Sequence, residues 1–292
     1  MLVRKEKFNF PHKAVDPTKK GSVRAALQKE PFYSHENSIL LTDYFTVLRD
    51  FVQAMVQEES DLILAGSNSY IAYGKPEPGK VRIPSDADFQ IGKNHHPEQI
   101  LELIKDIISR EKDAKFSLHD AEISSKSSLR ARIDAELHGI TGSCKIDVVA
   151  AEDIGTVKKK MNKIITTDEI FDVTVPEIEA SVAGKIESIL NRISFAHRNV
   201  NFRMKDFYDV YMLCHNNEIN RKLVNEYLSY KIERNDRCTD TFKHTQDNLD
   251  AIVEVSKKEQ WDRFKRQNKV SPDINVDSVV GFGKSLIQDM EI

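Results

Sequence analysis

Apolar residues recur every three or four positions in two long parts of this chain, and every second position between them. From Ser38 this spacing predicts a helix with one buried face. A second helix is predicted near Pro97, which suits a first helical turn, with Asn94 as its cap and apolar residues from Ile100 to Ile108 as its buried stripe. For the helix from Ser38, the positions predicted to be buried are Leu41, Tyr44, Leu48, Phe51, Val52 and Met55.

Between residues 115 and 150 the period of the apolar positions shifts towards two, which is typical of strands. The pattern predicts a mostly antiparallel or mixed sheet, with turn composition between its strands. The predicted strands are 116–123, 129–137 and 144–149, and the predicted turns are 124–128 and 139–143.

An earlier segment predicts a strand at 62–65, a turn at Gly66 and Ser67, and a short helix beginning near Asn68. A serine that follows a glycine at the start of a helix offers a hydroxyl and free backbone N–H groups. Those groups can bind a phosphate. The turn is therefore a candidate phosphate site.

Three aspartates are candidate metal ligands. After a proline- and glycine-rich loop, a strand carries Asp86 and Asp88. Side chains at i and i+2 of a strand point to one face, so the two carboxylates can share a divalent cation. Asp147 lies between Ile146 and Val148 in a predicted strand, where a carboxylate is costly unless it is paired or bound to a cation. A phosphate site beside such carboxylates suits metal-assisted phosphoryl or nucleotidyl transfer.

From about residue 175 the pattern is helical almost to the end of the chain. Pro176 and Glu177 open the first of these helices, and further helices are predicted at 202–216, 219–231, 235–255, 257–268 and 276–290. The predicted fold class is α+β: a mixed sheet with flanking helices, followed by an all-helical half. The domains are 1–170, with an N-terminal arm and helix, and 171–292, a helical domain expected to complete the nucleotide and acceptor cleft.

Composition narrows the class of protein. With 40% hydrophobic and 30% charged residues, the chain is that of a soluble globular protein, and its net charge of −3 gives no global field that selects for nucleic acid. Three cysteines without CxxC spacing indicate reduced thiols. Because no apolar run reaches the length of a membrane span, we expect a cytoplasmic protein without a membrane partner.

The helical half also carries ordered polar residues. Ser181, Lys185, Ser188 and Arg192 share one helix face, and the segment 205–209 places charges beside an apolar face. One interpretation of that segment is a simple surface ion pair between Lys205 and Asp209, which are four residues apart.

The glycine–serine turn, the paired aspartates and the later Asp147 together resemble the nucleotidyltransferase superfamily of the DNA polymerase β type. The segments SVAGKIESILNR and RMKDFYDVYML resemble the third and fourth motifs of the AbiEii/AbiGii family of nucleotidyltransferase toxins. That family includes the MenT toxins and abortive-infection toxins of type IV toxin–antitoxin pairs. The resemblance covers roughly residues 60–215.

The resemblance implies roles for the matching residues. It implies that Gly66 and Ser67 bind the nucleoside triphosphate (NTP) and that Asp86, Asp88 and Asp147 bind Mg²⁺ or Mn²⁺. Lys185 would neutralise the phosphates, Asp206 would be a further polar catalytic group, and Arg82 matches a basic residue common before the aspartate pair. The implied catalytic set is Asp86, Asp88, Asp147, Lys185 and Asp206.

The chain departs from the family pattern in two places. Ala65 stands where the family usually has a first glycine, and the interval from Ser67 to Asp86 is lengthened by the insertion KPEPGK. Both departures could change which nucleotide is accepted.

The resemblance implies transfer of a nucleoside monophosphate from an NTP to an acceptor such as a tRNA 3′ end, with a cognate antitoxin as partner and phage defence as the setting. An RNA acceptor needs local positive charge. Candidate contacts are Arg130, Arg132, Arg192, Arg198 and the basic run 257–269, in which Trp261 and Phe264 are interleaved. The alternative for that run is an ordinary amphipathic helix whose aromatic residues face the core.

Two other functions share some of these features. A small-molecule nucleotidyltransferase of the antibiotic-modifying kind would use the same turn and aspartate pair but gives no reason for the charged segment 205–209. A catalytically silent nucleotide-binding partner would bind Mg²⁺–NTP without transfer.

Overall fold

A computed structural model describes fourteen parts of the chain: residues 51–59, 61–73, 86–92, 96–110, 115–124, 128–137, 140–151, 155–161, 171–194, 204–234, 246, 249, 260–265 and 274–290. The predicted N-terminal arm, the first part of the helix from Ser38, the cap Asn94, all of the helix at 235–255 except residues 246 and 249, and Arg82 lie outside these residues. The Arg192 and Arg198 side chains also lie outside them.

A mixed seven-stranded sheet is the main feature of the first half of the described chain. Its strands are β1 (Ile63–Ala65), β2 (Asp86–Ile91), β3 (Lys115–Ile123), β4 (Leu129–Leu137), β5 (Ile140–Ala150), β6 (Thr156–Lys160) and β7 (Asp172–Pro176). The spatial order is β3-β4-β5-β2-β1-β7-β6. Strands β3, β4 and β5 are antiparallel neighbours, whereas β2 runs parallel to β5 and β7 runs parallel to β1.

Helices flank the sheet and make up the second half of the described chain. They are α1 (residues 51–58), α2 (Gly66–Ser69) continued by a 3₁₀ helix (Tyr70–Tyr73), α3 (Pro97–Arg110), α4 (Ile178–Ser194), α5 (Met204–Asn216), α6 (Arg221–Glu233), α7 (residues 260–265) and α8 (Val276–Gln288). The predicted α+β class, a mixed sheet with flanking helices followed by a helical region, is confirmed. No helix in the described part of the chain is long and apolar enough to cross a membrane.

One face of the sheet is buried under helices α1 and α3. Phe51 of α1 contacts the ring of Phe116 on β3, and α3 packs on β3 and β4. Alternate residues of the central strands, such as Phe89 on β2 and Ile146 on β5, are fully buried. Because side chains alternate along a strand, the residues between them point to the opposite face. This alternation sets the position of the acidic residues described below.

The described chain forms two compact units. The first ends at Val175 and the second begins at Pro176. In the second unit, α4 packs on α5 and α6, and α8 packs on α5. The contact with α8 is close: a Cβ at Gly283 would lie 2.6 Å from the ring of Phe207. Glycine at this position lets the two helices approach.

Two local predictions are wrong. The segment 139–143 was expected to be a turn, but β5 already begins at Ile140, which pairs with Leu137 of β4. Pro176 was expected to open a helix, yet it ends β7, and α4 begins at Ile178. In addition, β6 and most of β7 lie between residues 150 and 175, where the sequence pattern predicted no element.

Candidate active site

Three carboxylates meet on the side of the sheet opposite the buried face. Asp86 and Asp88 lie on β2, and Asp147 lies on β5. The two strands are parallel neighbours, and their register pairs Asp88 directly with Asp147. One carboxylate oxygen from each of the three residues lies within 4.8 Å of the other two. All three side chains are partly exposed. They form the acidic triad referred to below.

The chemistry of the acidic triad fits a divalent cation. Oxygen ligands from carboxylates are those that Mg²⁺ and Mn²⁺ prefer in proteins. Three like charges this close repel one another unless a cation offsets them. The effect reaches the neighbouring Cys144 of β5: burial, together with the negative charges of Asp86, Asp88 and Asp147, raises the pKa of its thiol to about 12. The Cys144 thiol is therefore neutral near pH 7.

Gly66 allows β1 to turn directly against the acidic triad. Its backbone has φ of +62°, a conformation that favours glycine. A Cβ at this position would lie 1.9 Å from Oδ2 of Asp88, well inside van der Waals contact. Glycine is therefore required twice here, by the backbone angle and by the carboxylate beside it.

Replacing Gly66 with alanine should consequently destabilise the first unit and displace Asp88. We expect Gly66→Ala to lower the free energy of unfolding by about 1–3 kcal/mol, measured by urea denaturation. Gly281→Ala is the matched control, because Gly281 lies in α8 with nothing within 4 Å of its added Cβ, and alanine is favoured in helices. A Gly66→Ala protein as stable as the wild type would contradict the close approach.

The residues after Gly66 tie this turn to β2. Asn68, 4% exposed, donates a side-chain hydrogen bond of 2.6 Å to the backbone oxygen of Asp86. The Ser69 hydroxyl donates to the Gly66 carbonyl at 2.7 Å. Neither contact was predicted from the sequence, where Asn68 marked only the start of a helix. Asn68 fixes the strand at the first ligand position.

Ser67 differs from its neighbours. Its side chain is only 8% exposed, and its buried hydroxyl oxygen has no hydrogen-bond partner within the described parts of the chain. A buried hydroxyl without a partner loses the free energy of a hydrogen bond. The hydroxyl is therefore suited to bind a polar group of a ligand at this turn.

Arg130 contacts the third carboxylate from the neighbouring strand. The register of β4 and β5 pairs Arg130 with Asp147, and Nε of the guanidinium donates to Oδ1 of the aspartate at 2.7 Å. The sequence indicated Arg130 as a candidate RNA contact. Its contact with Asp147 depends on strand register, which the sequence did not provide.

Lys185 and Asp206, the candidate residues of the second unit, contact each other. The Lys185 ammonium on α4 lies 3.2 Å from Oδ1 of Asp206 and 2.9 Å from Oδ2 of Asp209, both on α5. The two aspartates are 1% and 3% exposed, and Lys185 is 17% exposed. An exposed pair of Lys205 with Asp209 was one interpretation of this segment, and the burial of Asp209 contradicts it.

The interleaved aromatic residues of the basic run are part of the core. Trp261 and Phe264 on α7 are 5% and 6% exposed and pack against the ring of Tyr208. Buried rings cannot stack on the bases of an RNA. In the described part of this run, the structure therefore agrees with an ordinary amphipathic helix.

Comparison with known proteins gives a family match over most of the chain. A family model described as the nucleotidyl transferase AbiEii toxin of the type IV toxin–antitoxin (TA) system matches residues 55–280. No curated protein matches.

Two crystal structures from Helicobacter pylori resemble the fold. JHP933 is 15% identical, with a TM-score of 0.49 over 85% of this chain and 90% of that chain. The second protein, provisionally named a nucleotidyltransferase, is 16% identical, with a TM-score of 0.49 over 84% of this chain and 92% of that chain. These likenesses are too distant to carry residue roles to this chain.

Proposed function

This chain belongs to the AbiEii family of nucleotidyl transferase toxins from type IV toxin–antitoxin systems, and we propose that it transfers a nucleoside monophosphate from an NTP to an RNA acceptor such as the 3′ end of a tRNA. The family match confirms the resemblance found in the sequence and identifies a nucleotidyltransferase. The nucleotide, the acceptor and the metal belong to the proposal. So do a cognate antitoxin as partner and phage defence as the setting.

The meeting of Asp86, Asp88 and Asp147 is the observation that best supports metal-assisted transfer. These residues would hold Mg²⁺ or Mn²⁺, which supplies Lewis-acid stabilisation of the phosphate charge when bound. Nothing in the donor set favours a softer metal, because all three ligands are carboxylates.

Ser67 and Gly66 are proposed to bind the triphosphate. The Ser67 hydroxyl, for which the described residues offer no hydrogen-bond partner, can donate a hydrogen bond to a phosphate oxygen. Gly66 keeps the backbone close to the acidic triad, so a phosphate bound at the turn would lie beside the metal ligands. The turn would therefore hold the phosphates in line for attack by an acceptor hydroxyl.

Because they lie in segments that match the family motifs, Lys185 and Asp206 are proposed to take part in the transfer reaction. Lys185 carries a positive charge that could offset the charge of the leaving pyrophosphate. Asp206 is buried with it, so the aspartate would orient the ammonium or accept a proton from the acceptor hydroxyl. Arg82 is proposed as a further phosphate contact on the motif alone.

Labelled transfer tests the function directly. The protein is incubated with each of the four NTPs, labelled at the α-phosphate, and with total RNA, purified tRNA, small aminoglycoside-type acceptors or no acceptor. We expect label from one or two NTPs on RNA of tRNA size, lost when EDTA removes the divalent cation. Label on the small acceptors alone would establish the antibiotic-type alternative, and binding of Mg²⁺–NTP without transfer would establish a silent partner.

A further inference from the structure

Arg130 is in direct contact with one carboxylate of the acidic triad. The hydrogen bond from its Nε to Oδ1 of Asp147 is 2.7 Å long. Asp147 in turn pairs with Asp88 across the next pair of strands. Arg130, Asp147 and Asp88 therefore lie side by side on the neighbouring strands β4, β5 and β2. Arg130 therefore contacts one oxygen of a proposed metal ligand.

A simple cross-strand ion pair does not account for this position. The Arg130 side chain is 69% exposed and the Asp147 side chain is 29% exposed. Exposed pairs of this kind contribute little to stability, because solvent screens the charges. Glu122 of β3 faces Arg130 from the other side and adds a second negative charge near the guanidinium. Stability alone therefore gives little reason for an arginine beside a ligand carboxylate.

The Arg130 guanidinium has N–H donors that its hydrogen bond to Asp147 does not use. An arginine carries five N–H donors in a fixed planar arrangement that matches two oxygens of a phosphate. Nε serves Asp147, and no described residue accepts a hydrogen bond from either terminal amino group of Arg130. These exposed groups lie beside the carboxylates where, under the proposed function, the reacting phosphates bind.

We propose that Arg130 is a substrate-binding residue that contacts a phosphate group next to the acidic triad. This inference rests on the proposed function, since it assumes that phosphate-bearing substrates reach this face of the sheet. The guanidinium offsets part of the negative charge of Asp147. If the acidic triad held a cation, charge repulsion would weaken the pair of Arg130 with Asp147, and the arginine donors would be available to the phosphate. The phosphate belongs either to the NTP or to the backbone of an RNA acceptor.

Binding measurements test this role without requiring transfer. Arg130→Gln and Arg130→Lys are compared with the wild type in titrations of Mg²⁺ alone, of Mg²⁺–NTP and of tRNA, each followed by thermal stabilisation or fluorescence. Loss of a charge-assisted contact should weaken binding about tenfold or more. We expect Arg130→Gln to show this loss for one of the two phosphate ligands, and Arg130→Lys to recover part of it. Binding of Mg²⁺ alone should be unchanged or tighter, because a neighbouring positive charge has gone.

Arg110→Gln is the matched control, because Arg110 is also an exposed arginine of the first unit, paired with Glu58 at 2.9 Å and with Asp106 on α3. It should bind all three ligands as the wild type does. A loss for Mg²⁺–NTP alone identifies the nucleotide as the source of the phosphate, and a loss for tRNA alone identifies the acceptor.

The inference would be overturned if Arg130→Gln bound both ligands normally. It would equally be overturned if binding of Mg²⁺ fell in step with the melting temperature, since that pattern describes a structural role. A wild type that binds Mg²⁺–NTP but transfers nothing would remove the proposed function and leave the role of Arg130 testable.

Discussion

A protein in which Asp86 and Asp88 are both replaced by asparagine should lose nucleotidyl transfer by about three orders of magnitude or more. Asparagine has nearly the shape of aspartate, but the substitution removes two of the three negative charges that meet within 4.8 Å. The remaining carboxylate cannot hold a divalent cation tightly by itself. The fold should survive, because the change relieves repulsion among like charges and leaves the buried face of β2 untouched.

Two measurements on the same sample separate these effects. Transfer is followed with the labelled NTP, and stability by thermal unfolding with and without Mn²⁺. The wild type should melt at a higher temperature when Mn²⁺ is added, and the double variant should not. Glu102→Gln combined with Asp106→Asn removes the same charge from the exposed face of α3 and should keep both activity and the Mn²⁺ response. Transfer at the wild-type rate by the Asp86 and Asp88 variant would refute the metal assignment.

The meeting of the carboxylates on one face could be predicted in part from the sequence. The pleat of a strand places residues i and i+2 on the same face whatever the fold, so the pairing of Asp86 with Asp88 needed no tertiary information. Asp147 lies between buried Ile146 and Val148, as the alternation predicted. What the sequence did not provide is the parallel pairing of β2 with β5, which brings Asp147 beside Asp88.

Strands β6 and β7 show why local pattern was insufficient for the rest of the sheet. β6 reads Thr-Val-Lys-Lys-Lys and is exposed at nearly every position, so it has no alternation to detect. β7 is five residues long and pairs with β1, with Thr174 opposite Ile63. A strand stabilised by a partner more than a hundred residues away depends on tertiary packing rather than local propensity.

The close contacts of the site depend on register in the same way. That Gly66 has no room for a side chain follows from the position of Asp88 on the neighbouring strand. The Arg130 contact follows from the pairing of β4 with β5. Asp209 is different, since a signal was present: it lies three residues after Asp206 and so on the same helix face. Reading Asp209 as a surface residue gave too little weight to the apolar neighbours of that face.

Lys185→Ala should destabilise the protein as well as inactivate it. The Lys185 ammonium lies within 3.2 Å of two aspartates that are almost completely buried, so its removal takes a positive charge away from both of them. Breaking a buried ion pair by removing one partner costs about 3–5 kcal/mol, whereas an exposed pair contributes at most about 1 kcal/mol. We therefore expect Lys185→Ala to lower the free energy of unfolding by about 3 kcal/mol in urea denaturation.

Loss of transfer by Lys185→Ala would by itself be no evidence for a role in catalysis, so two further variants are needed. Lys222→Ala is the control for removing a lysine from the second unit. Lys222 is 87% exposed, and its ion pair with Glu226 is long, at 3.8 Å. The control variant should therefore unfold as the wild type does. Combining Lys185→Ala with Asp209→Asn should recover stability, because the second change removes one of the two buried negative charges that Lys185 contacts and leaves Asp206 in place. If the recovered protein still fails to transfer, Lys185 contributes to the reaction itself. A Lys185→Ala protein as stable as the wild type would show instead that other groups already balance the two buried aspartates.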